Sequence, residues 1–134
     1  MINIKTQQVK LIDFGSLTTL DRGQHIRTFY GTKKFCSPEA LKGSYLPELQ
    51  EVWALGTLFY VLLFKMDPFK TDDEVLDLDI GRRIERIRTY GINGQEISIS
   101  DATLDALAKM LNKDWSQRPR VDQILHLPIF TQSN

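Results

Sequence analysis

An acidic motif near the N-terminus, Asp13, Phe14 and Gly15, is the first place in this sequence where a side chain could do chemistry. It follows an apolar segment at residues 9–12 that is typical of a β-strand, so the Asp13 carboxylate would be presented where that strand ends. An aspartate and a glycine after a strand also form ordinary turns, so these residues alone do not define a site.

The polar segment after this motif favours a functional interpretation. Residues 16–35 contain glycine and show no hydrophobic periodicity, which predicts a loop of about twenty residues. Loops of that length inside a compact domain are usually functional. The loop carries Thr28 and Thr32, and it runs into the sequence Ser37, Pro38, Glu39.

Composition excludes several classes of function. Lysine plus arginine number 17 and aspartate plus glutamate also 17, so no net charge favours nucleic acid or an anionic membrane as a partner. The single cysteine, Cys36, excludes an intrachain disulfide, and the first eight residues lack the apolar core of a signal peptide. We therefore expect an intracellular, cytoplasmic protein with one hydrophobic core, and neither nucleic acid nor a membrane as partner.

The most apolar segment, residues 51–64, predicts a central buried helix. Only Glu51, Gly56 and Thr57 interrupt its apolar residues, and a helix that is apolar on every side is normally buried all round. A transmembrane span is excluded because the thirteen residues 52–64 reach only about 20 Å as a helix, against a hydrocarbon core of about 30 Å. A buried strand is the remaining alternative, and the length of the segment favours a helix. The aspartate and proline at residues 67–68 are expected to end it.

Shorter patterns predict the remaining elements. Residues 1–12 are expected to form a hairpin of two short strands joined at residues 5–8. Thr71 is expected to cap a short helix that reaches about residue 79, Ser100 or the next residue to cap an amphipathic helix, and residues 121–127 to form the last helix. A local group of arginines is interpreted as a solvated helix face rather than as a partner-binding patch: Arg82, Arg83, Arg86 and Arg88.

The order of these motifs resembles the C-terminal part of the large lobe of a eukaryotic-type protein kinase. Asp-Phe-Gly, a long loop, Gly31-Thr32, Ser-Pro-Glu and a buried Val-Trp-x-Leu-Gly helix occur in that order, followed by Asp-Pro-Phe and by Arg118-Pro119. The resemblance implies a mainly α fold, the helical C-terminal lobe of the kinase fold, with a short N-terminal β-hairpin leading into the Asp-Phe-Gly motif. By this resemblance, residues 1–130 form a partial kinase domain and residues 131–134 a tail. The domain would consist of a hairpin with the Asp-Phe-Gly motif (1–15), an activation and peptide-docking loop (16–39) and a helical subdomain (40–130).

The resemblance also implies chemical roles, those of a protein serine/threonine kinase. Asp13 would hold the Mg²⁺ that bridges the phosphates of ATP. Phe14 would pack into the spine of the lobe, and Gly15 would allow the backbone to change between active and inactive states. Thr32, which alone would be an ordinary turn threonine, would support the catalytic aspartate and the substrate. Residues 33–37 would face the residue that follows the phosphoacceptor.

Other residues are expected to have structural or regulatory roles. Glu39 would form a buried ion pair with Arg118, which alone would be read as a solvated surface arginine. Glu51 would start the central helix and accept hydrogen bonds from the catalytic loop, and Trp53 would support the same helix. Thr28 matches the family's regulatory phosphothreonine.

Details of the sequence are most similar to the PAS-domain serine/threonine kinases, some of which also carry glutamate at the position of Glu51. The glycine-rich loop, the strand lysine and the His-Arg-Asp catalytic loop of the family are absent from this sequence. We therefore expect a partial kinase lobe that is inactive alone and needs an N-terminal kinase half as partner. The complete kinase would use ATP and Mg²⁺ on serine or threonine of a protein or peptide. Without that half, Leu55, Phe59 and Leu62 of the central helix are expected to be partly exposed, which predicts poor solubility or self-association. The alternative is a non-catalytic, pseudokinase-like scaffold that binds a partner. An unrelated helical interaction domain would require the order of the motifs to be accidental.

Overall fold

The structure, a computed structural model, describes residues 1–131, and the chain is mainly helical over that range, which confirms the predicted fold class. The predicted tail lies outside the described residues from residue 132 onward. Extended pairing in the described part consists of isolated bridges, and no helix there is long and apolar enough to cross a membrane. The helices are α1 (Pro38–Leu41), α2 (Pro47–Phe64), α3 (Asp72–Asp77), α4 (Ile80–Tyr90), α5 (Asp101–Met110), α6 (Val121–Ile124) and α7 (Pro128–Thr131), with 3₁₀ turns at Phe14–Ser16 and Lys33–Phe35.

The predicted central helix is α2, which ends at the predicted residue but starts four residues earlier than predicted. It begins at Pro47 rather than at Glu51, because proline suits the first turn, where a backbone N–H has no partner in the helix. It ends at Phe64, before the proline expected to stop it. Lys65 adopts a left-handed conformation with φ 56°, and its N–H donates to the carbonyl of Val61 at 2.9 Å.

This chain buries the helix on one side only, which confirms the exposure expected at Leu55, Phe59 and Leu62 when the rest of the lobe is missing. Trp53 and Tyr60 are fully buried, whereas Leu55 is 47% exposed, Leu58 45% and Leu62 58%. The buried side of α2 packs against α5, and the other side carries an apolar stripe formed by these three leucines. The apolar composition of a helix therefore does not show which of its faces is covered by this chain.

The close approach of α2 and α5 depends on Gly56. A Cβ atom at this position would lie 3.0 Å from Cβ of Met110 and 3.1 Å from the side chain of Leu111. The main hydrophobic core surrounds this contact and draws residues from α2, α3, α4 and α5, among them Trp53, Tyr60, Phe64, Val75, Ile84 and Leu107.

The predicted N-terminal hairpin is present only as one antiparallel bridge between Ile2 and Val9. The N–H of Asn3 donates to the carbonyl of Gln8, and the N–H of Lys10 donates to the carbonyl of Met1, both at 2.9 Å. Ile2 is 63% and Val9 68% exposed, so no layer of the described chain covers them. An isolated two-stranded hairpin is only marginally stable, which explains why the two strands do not extend further.

The predicted caps are present at two helices, whereas two predicted helix ends differ from the structure. The hydroxyl of Thr71 accepts from the N–H of Glu74 at 3.2 Å, and that of Ser100 accepts from the N–H of Thr103 at 3.3 Å. The helix after Thr71 stops at residue 77 rather than about 79. The predicted helix 121–127 is shorter than expected: α6 ends at Ile124, and Pro128 starts a separate short helix, α7, beyond the predicted range.

Candidate functional site

Asp13 lies at the bend between the N-terminal bridge and the 3₁₀ turn Phe14–Ser16. Its backbone is left-handed, with φ 63° and ψ 72°, a conformation that aspartate tolerates better than most residues. The residue is exposed, and its side chain makes no capping hydrogen bond to the turn. The carboxylate oxygens are therefore accessible to a ligand.

A single exposed carboxylate suits one coordination position of Mg²⁺ and not a complete site. Hard cations prefer carboxylate oxygens, so the donor chemistry of Asp13 fits the predicted metal role. Residues 1–131 contain no group of three or more histidine, cysteine, aspartate or glutamate side chains arranged to hold a metal ion. The other ligands for a metal at Asp13 would have to come from a nucleotide, from water or from another polypeptide segment.

Phe14 does not pack in the way expected for the spine of a lobe. It is 61% exposed and joins none of the apolar clusters formed by the described residues. Residues 1–131 provide no apolar cluster that covers its ring. At Gly15, an added Cβ would lie 3.4 Å from a carboxylate oxygen of Asp13, which is an ordinary contact.

The segment that contains Thr32 is held as a short turn against the α2–α3 connection. The carbonyl of Thr32 accepts from the N–H of Phe35 at 3.0 Å, while its exposed side chain makes no capping bond. The ammonium of Lys33 lies 2.6 Å from a carboxylate oxygen of Asp72, and a second ion pair joins Lys34 to Asp67 at 3.1 Å. Thr32 is thus presented to solvent at the edge of an anchored segment.

Gln50, which the sequence reasoning missed, fixes the inner side of this segment. Its amide oxygen accepts from the N–H of Ser37 at 2.8 Å, and its amide nitrogen donates to the carbonyl of Phe35 at 2.7 Å. The residue is only 4% exposed, so both bonds are shielded from water. The sequence signal that could have identified Gln50 is a polar residue at the start of a long apolar helix. An amide buried there needs hydrogen-bond partners from another segment.

Glu39 and Arg118 are brought together as a buried, bidentate ion pair. Nη1 of Arg118 lies 2.5 Å from Oε1 of Glu39, and Nη2 lies 3.0 Å from Oε2. The arginine side chain is 0% exposed and that of the glutamate 9%. The same guanidinium donates to the carbonyls of Leu49 and Asn112. One side chain therefore ties the segment around α1, the start of α2 and the end of α5 to one another.

Trp53 and Glu51 occupy opposite environments on α2. Trp53 is fully buried between Phe69, whose ring is stacked on it at 5.3 Å, and the guanidinium of Arg118, 4.9 Å from the ring centroid. Glu51 is exposed and lies one turn into the helix, so the expectation that it starts the helix is corrected. Its carboxylate faces away from the core formed by this chain.

Thr28 and Cys36 differ sharply in accessibility. Thr28 is exposed, and its carbonyl accepts from the hydroxyl of Tyr45 at 3.2 Å. Cys36 is 3% exposed, and burial, together with the negative charges of Asp72 and Glu39, raises the pKa of its thiol to about 11. The hydroxyl of Thr28 is therefore available for modification, whereas the thiol of Cys36 is neutral and enclosed at physiological pH.

Comparison with known proteins identifies the family. The sequence profile of the protein kinase domain matches residues 1–130. Serine/threonine-protein kinase ppk16 of Schizosaccharomyces pombe is 33% identical over 132 residues, which are 96% of this chain and 19% of that protein. The PAS domain-containing serine/threonine-protein kinase of Mus musculus is 32% identical over 126 residues, 92% of this chain and 8% of that protein.

A third relative, serine/threonine-protein kinase PSK2 of Saccharomyces cerevisiae, is 32% identical over 117 residues, 87% of this chain and 10% of that protein. The chain thus spans no more than a fifth of the length of these relatives. Protein kinases as a family use ATP and Mg²⁺ and act on proteins. The family match along nearly the whole chain, with the relatives' names and the predicted mainly helical fold, shows that this chain belongs to the protein kinase domain family.

Proposed function

We propose that this chain is the peptide-docking and metal-holding part of a protein serine/threonine kinase of the PAS-domain type. The observation that carries the proposal is the buried Glu39–Arg118 pair, which anchors the segment bearing Thr32 to the helical core. Phosphoryl transfer depends mainly on positioning and electrostatics, so a rigid support for the docking segment is what such an enzyme requires. A scaffold without catalysis would not need the accessible carboxylate of Asp13.

Asp13 is the proposed metal ligand and marks the nucleotide side of the site. Bound Mg²⁺ would neutralise negative charge on the phosphates of ATP. The left-handed backbone of Asp13 presents its carboxylate outside the turn, in water, where it can take up a metal–nucleotide complex. Phe14 and Gly15 would line the same nucleotide site.

Thr32 is the proposed positioning residue on the substrate side. Its exposed hydroxyl lies at the start of the 3₁₀ turn Lys33–Phe35, whose two lysines are already paired with aspartates. The substrate residue that follows the phosphoacceptor would therefore meet backbone groups and the side chain of Phe35 at this turn, and no unpaired lysine charge. Thr28, exposed in the preceding loop, is the proposed regulatory phosphorylation position.

The remaining catalytic parts would come from an N-terminal kinase half. The chain itself has no glycine-rich loop, strand lysine or His-Arg-Asp loop. The leucine stripe of α2 and the exposed ring of Phe14 offer an apolar surface for that half, and the exposed carboxylate of Glu51 offers acceptors to its catalytic loop. We include an intracellular location in the proposal, since the single cysteine forms no disulfide and the reaction consumes ATP.

A chimera tests the catalytic proposal. The small lobe and catalytic loop of a PAS domain-containing kinase are fused ahead of residue 1, and transfer of phosphate from ATP to a generic serine peptide is measured with Mg²⁺. We expect transfer by the chimera and a fall to background in Asp13→Asn, because the metal loses a ligand. Asp21→Asn is the matched control, since Asp21 is an exposed aspartate of the adjoining loop. We expect it to retain activity.

Two results would contradict the proposal. Undiminished transfer in Asp13→Asn would remove Asp13 from the metal site, and a folded chimera that binds ATP with Mg²⁺ without transferring phosphate would favour the scaffold. Residues 1–134 alone are expected to be inactive. Activity of this chain that disappears in Asp13→Asn would show that another chain can supply the missing parts.

A further inference from the structure

The backbone on either side of Cys36 needs hydrogen-bond partners from another segment. Among residues 1–131, neither the carbonyl of Phe35 nor the N–H of Ser37 has a backbone partner. Cys36 itself is extended, with φ −71° and ψ 131°, so this carbonyl and this N–H point to the same side of the chain, as they do in a β-strand. Backbone groups shielded from water are normally paired, so the docking segment is incomplete without a partner on that side.

The side-chain amide of Gln50 takes the place of a neighbouring strand. Its nitrogen donates to the carbonyl of Phe35 at 2.7 Å, and its oxygen accepts from the N–H of Ser37 at 2.8 Å. One planar amide makes both bonds, so it restricts the backbone torsions of the residue between them. Cys36 is thereby held with its thiol in an apolar cluster beside Tyr45, where it is only 3% exposed.

This contact holds a different part of the segment from the Glu39–Arg118 pair. The ion pair holds α1, whereas Gln50 holds the backbone that joins α1 to the 3₁₀ turn. The ion pairs made by the two lysines of that turn are exposed to water and are therefore weak. Gln50 is buried, so its bonds do not compete with water. The amide is thus the main internal restraint on the turn that follows Thr32.

We propose that Gln50 is a positioning residue for the protein substrate, one that sets the place of the docking backbone without touching substrate or nucleotide. This inference rests on the kinase function proposed above. A buried amide acts through the backbone it holds, and a shift of that backbone weakens binding and orientation of the peptide. The nucleotide side, marked by Asp13, belongs to another segment. Loss of the amide should therefore lower the affinity for the peptide and leave that for ATP unchanged.

The single cysteine reports the hold on the backbone without any need for catalysis. Alkylation of Cys36 by iodoacetamide in residues 1–134 is followed by mass spectrometry for wild type and for Gln50→Met, which keeps the side-chain length and removes both bonds. We expect alkylation to be about tenfold faster in the variant, the effect of about one net hydrogen bond. The rate should change little at low urea concentrations, because local opening exposes little surface.

Gln117→Met is the matched control for the alkylation, because Gln117 is an exposed glutamine outside the docking segment. It should react as wild type does. Equal rates in wild type and Gln50→Met would overturn the proposal. So would a rate in Gln50→Met that rises with urea as steeply as global unfolding, since the amide would then support the whole fold and not this segment.

The kinase chimera measures the consequence for the substrate. We expect Gln50→Met to raise the KM for the serine peptide about tenfold and to leave the KM for ATP unchanged, while Gln117→Met changes neither. Equal peptide KM values in wild type and Gln50→Met would overturn the positioning role. If the wild-type chimera transfers no phosphate, the proposed kinase function fails, and binding of the labelled peptide, measured by fluorescence anisotropy, then decides between the same outcomes. A wild-type chimera that does not bind the peptide would overturn both proposals.

Gln50→Glu separates positioning from folding through its pH profile. A protonated carboxyl has the donor and acceptor pair of an amide, whereas the ionised form only accepts and would face the carbonyl of Phe35. We expect the peptide KM of this variant to match wild type at low pH and to rise above it as the carboxyl ionises. A ratio of the two KM values that stays constant with pH would contradict the proposed hold on the backbone.

Discussion

At the scale of single residues, Arg118 is the most heavily engaged side chain described here. Its five guanidinium N–H groups are distributed over the two carboxylate oxygens of Glu39 and the carbonyls of Leu49 and Asn112, in five hydrogen bonds. The ring of Trp53 covers its face. A charge with this many partners can be buried without remaining unsatisfied, which explains how it lies in the core.

Removing this charge should cost much of the stability of the chain. Arg118→Met keeps the length of the side chain and leaves the Glu39 carboxylate buried and unpaired, so we expect the free energy of unfolding to fall by about 3–5 kcal/mol. Urea unfolding followed by circular dichroism measures the change. Arg82→Met, which breaks the exposed pair with Asp79, serves as the control and should cost less than about 1 kcal/mol. An unchanged midpoint in Arg118→Met would disprove the structural role of the pair.

Cys36 should make the stability of the chain depend on pH in the alkaline range. Its pKa is raised from 9.0 to about 11 in the folded state, so between these values the folded chain keeps a proton that the unfolded chain has lost. The contribution of the neutral thiol to the free energy of unfolding is therefore complete below pH 9, and it is lost as the pH rises towards 11.

The measurement compares wild type with Cys36→Ala by urea unfolding at pH 8 and at increasing pH. Subtraction cancels the titration of the tyrosines and lysines that the two proteins share. We expect the stability difference to move in favour of the alanine variant as the pH rises. A difference that stays constant with pH would show that the thiol is not buried as described.

At the scale of the elements, the packing of α2 on α5 is limited by the backbone at Gly56. Local propensity disfavours glycine in the middle of a helix, yet here it allows the side chains of Met110 and Leu111 to approach closely. The cost in helix propensity is offset by this contact.

Gly56→Ala should therefore destabilise the chain although alanine favours helices. The added methyl would lie 3.0 Å from Cβ of Met110, so the helices must shift. Overpacking lowers the free energy of unfolding by about 1–3 kcal/mol, whereas the better helix propensity of alanine raises it by about 1 kcal/mol at most. Gly81→Ala in the first turn of α4 is the control, because its nearest neighbour is a single exposed side-chain oxygen, Oδ1 of Asp79 at 3.3 Å, rather than a packed helix. Equal denaturant midpoints for wild type and Gly56→Ala would refute the close packing.

At the scale of the whole molecule, the core is well filled while one apolar surface remains uncovered. The leucine stripe of α2 lies on the opposite side of that helix from Trp53, and residues of the N-terminal segment such as Ile4 and Leu11 are more than four-fifths exposed. Apolar surfaces of this kind usually mark an interface or an aggregation hazard. The chain should therefore associate through this stripe when no partner covers it.

Self-association can be measured by size-exclusion chromatography with light scattering over a range of chain concentrations. We expect oligomers of the wild-type chain, and a shift towards monomer when Leu58→Lys and Leu62→Lys are combined, since charge on the stripe opposes burial. Leu125→Lys changes another exposed leucine outside the stripe and should leave the oligomers intact. Monomeric wild type at all concentrations would contradict the prediction.

The sequence by itself determined the features that depend on neighbouring residues in the chain. The caps at Thr71 and Ser100, the helical state of α2 and the order of kinase motifs were all predictable, because capping bonds and helical periodicity act over a few residues. The pairing of Glu39 with Arg118 was predictable only through the family resemblance, since 79 residues separate them.

The tertiary structure alone decided which surfaces are covered. It left Phe14 exposed, reduced the predicted hairpin to one bridge, and placed Gln50 under the docking segment. The arginines of α4 remain at the surface as the sequence predicted, since Arg82, Arg86 and Arg88 are exposed. The physical reason is that burial depends on contacts between segments far apart in the chain, and local composition does not specify those contacts.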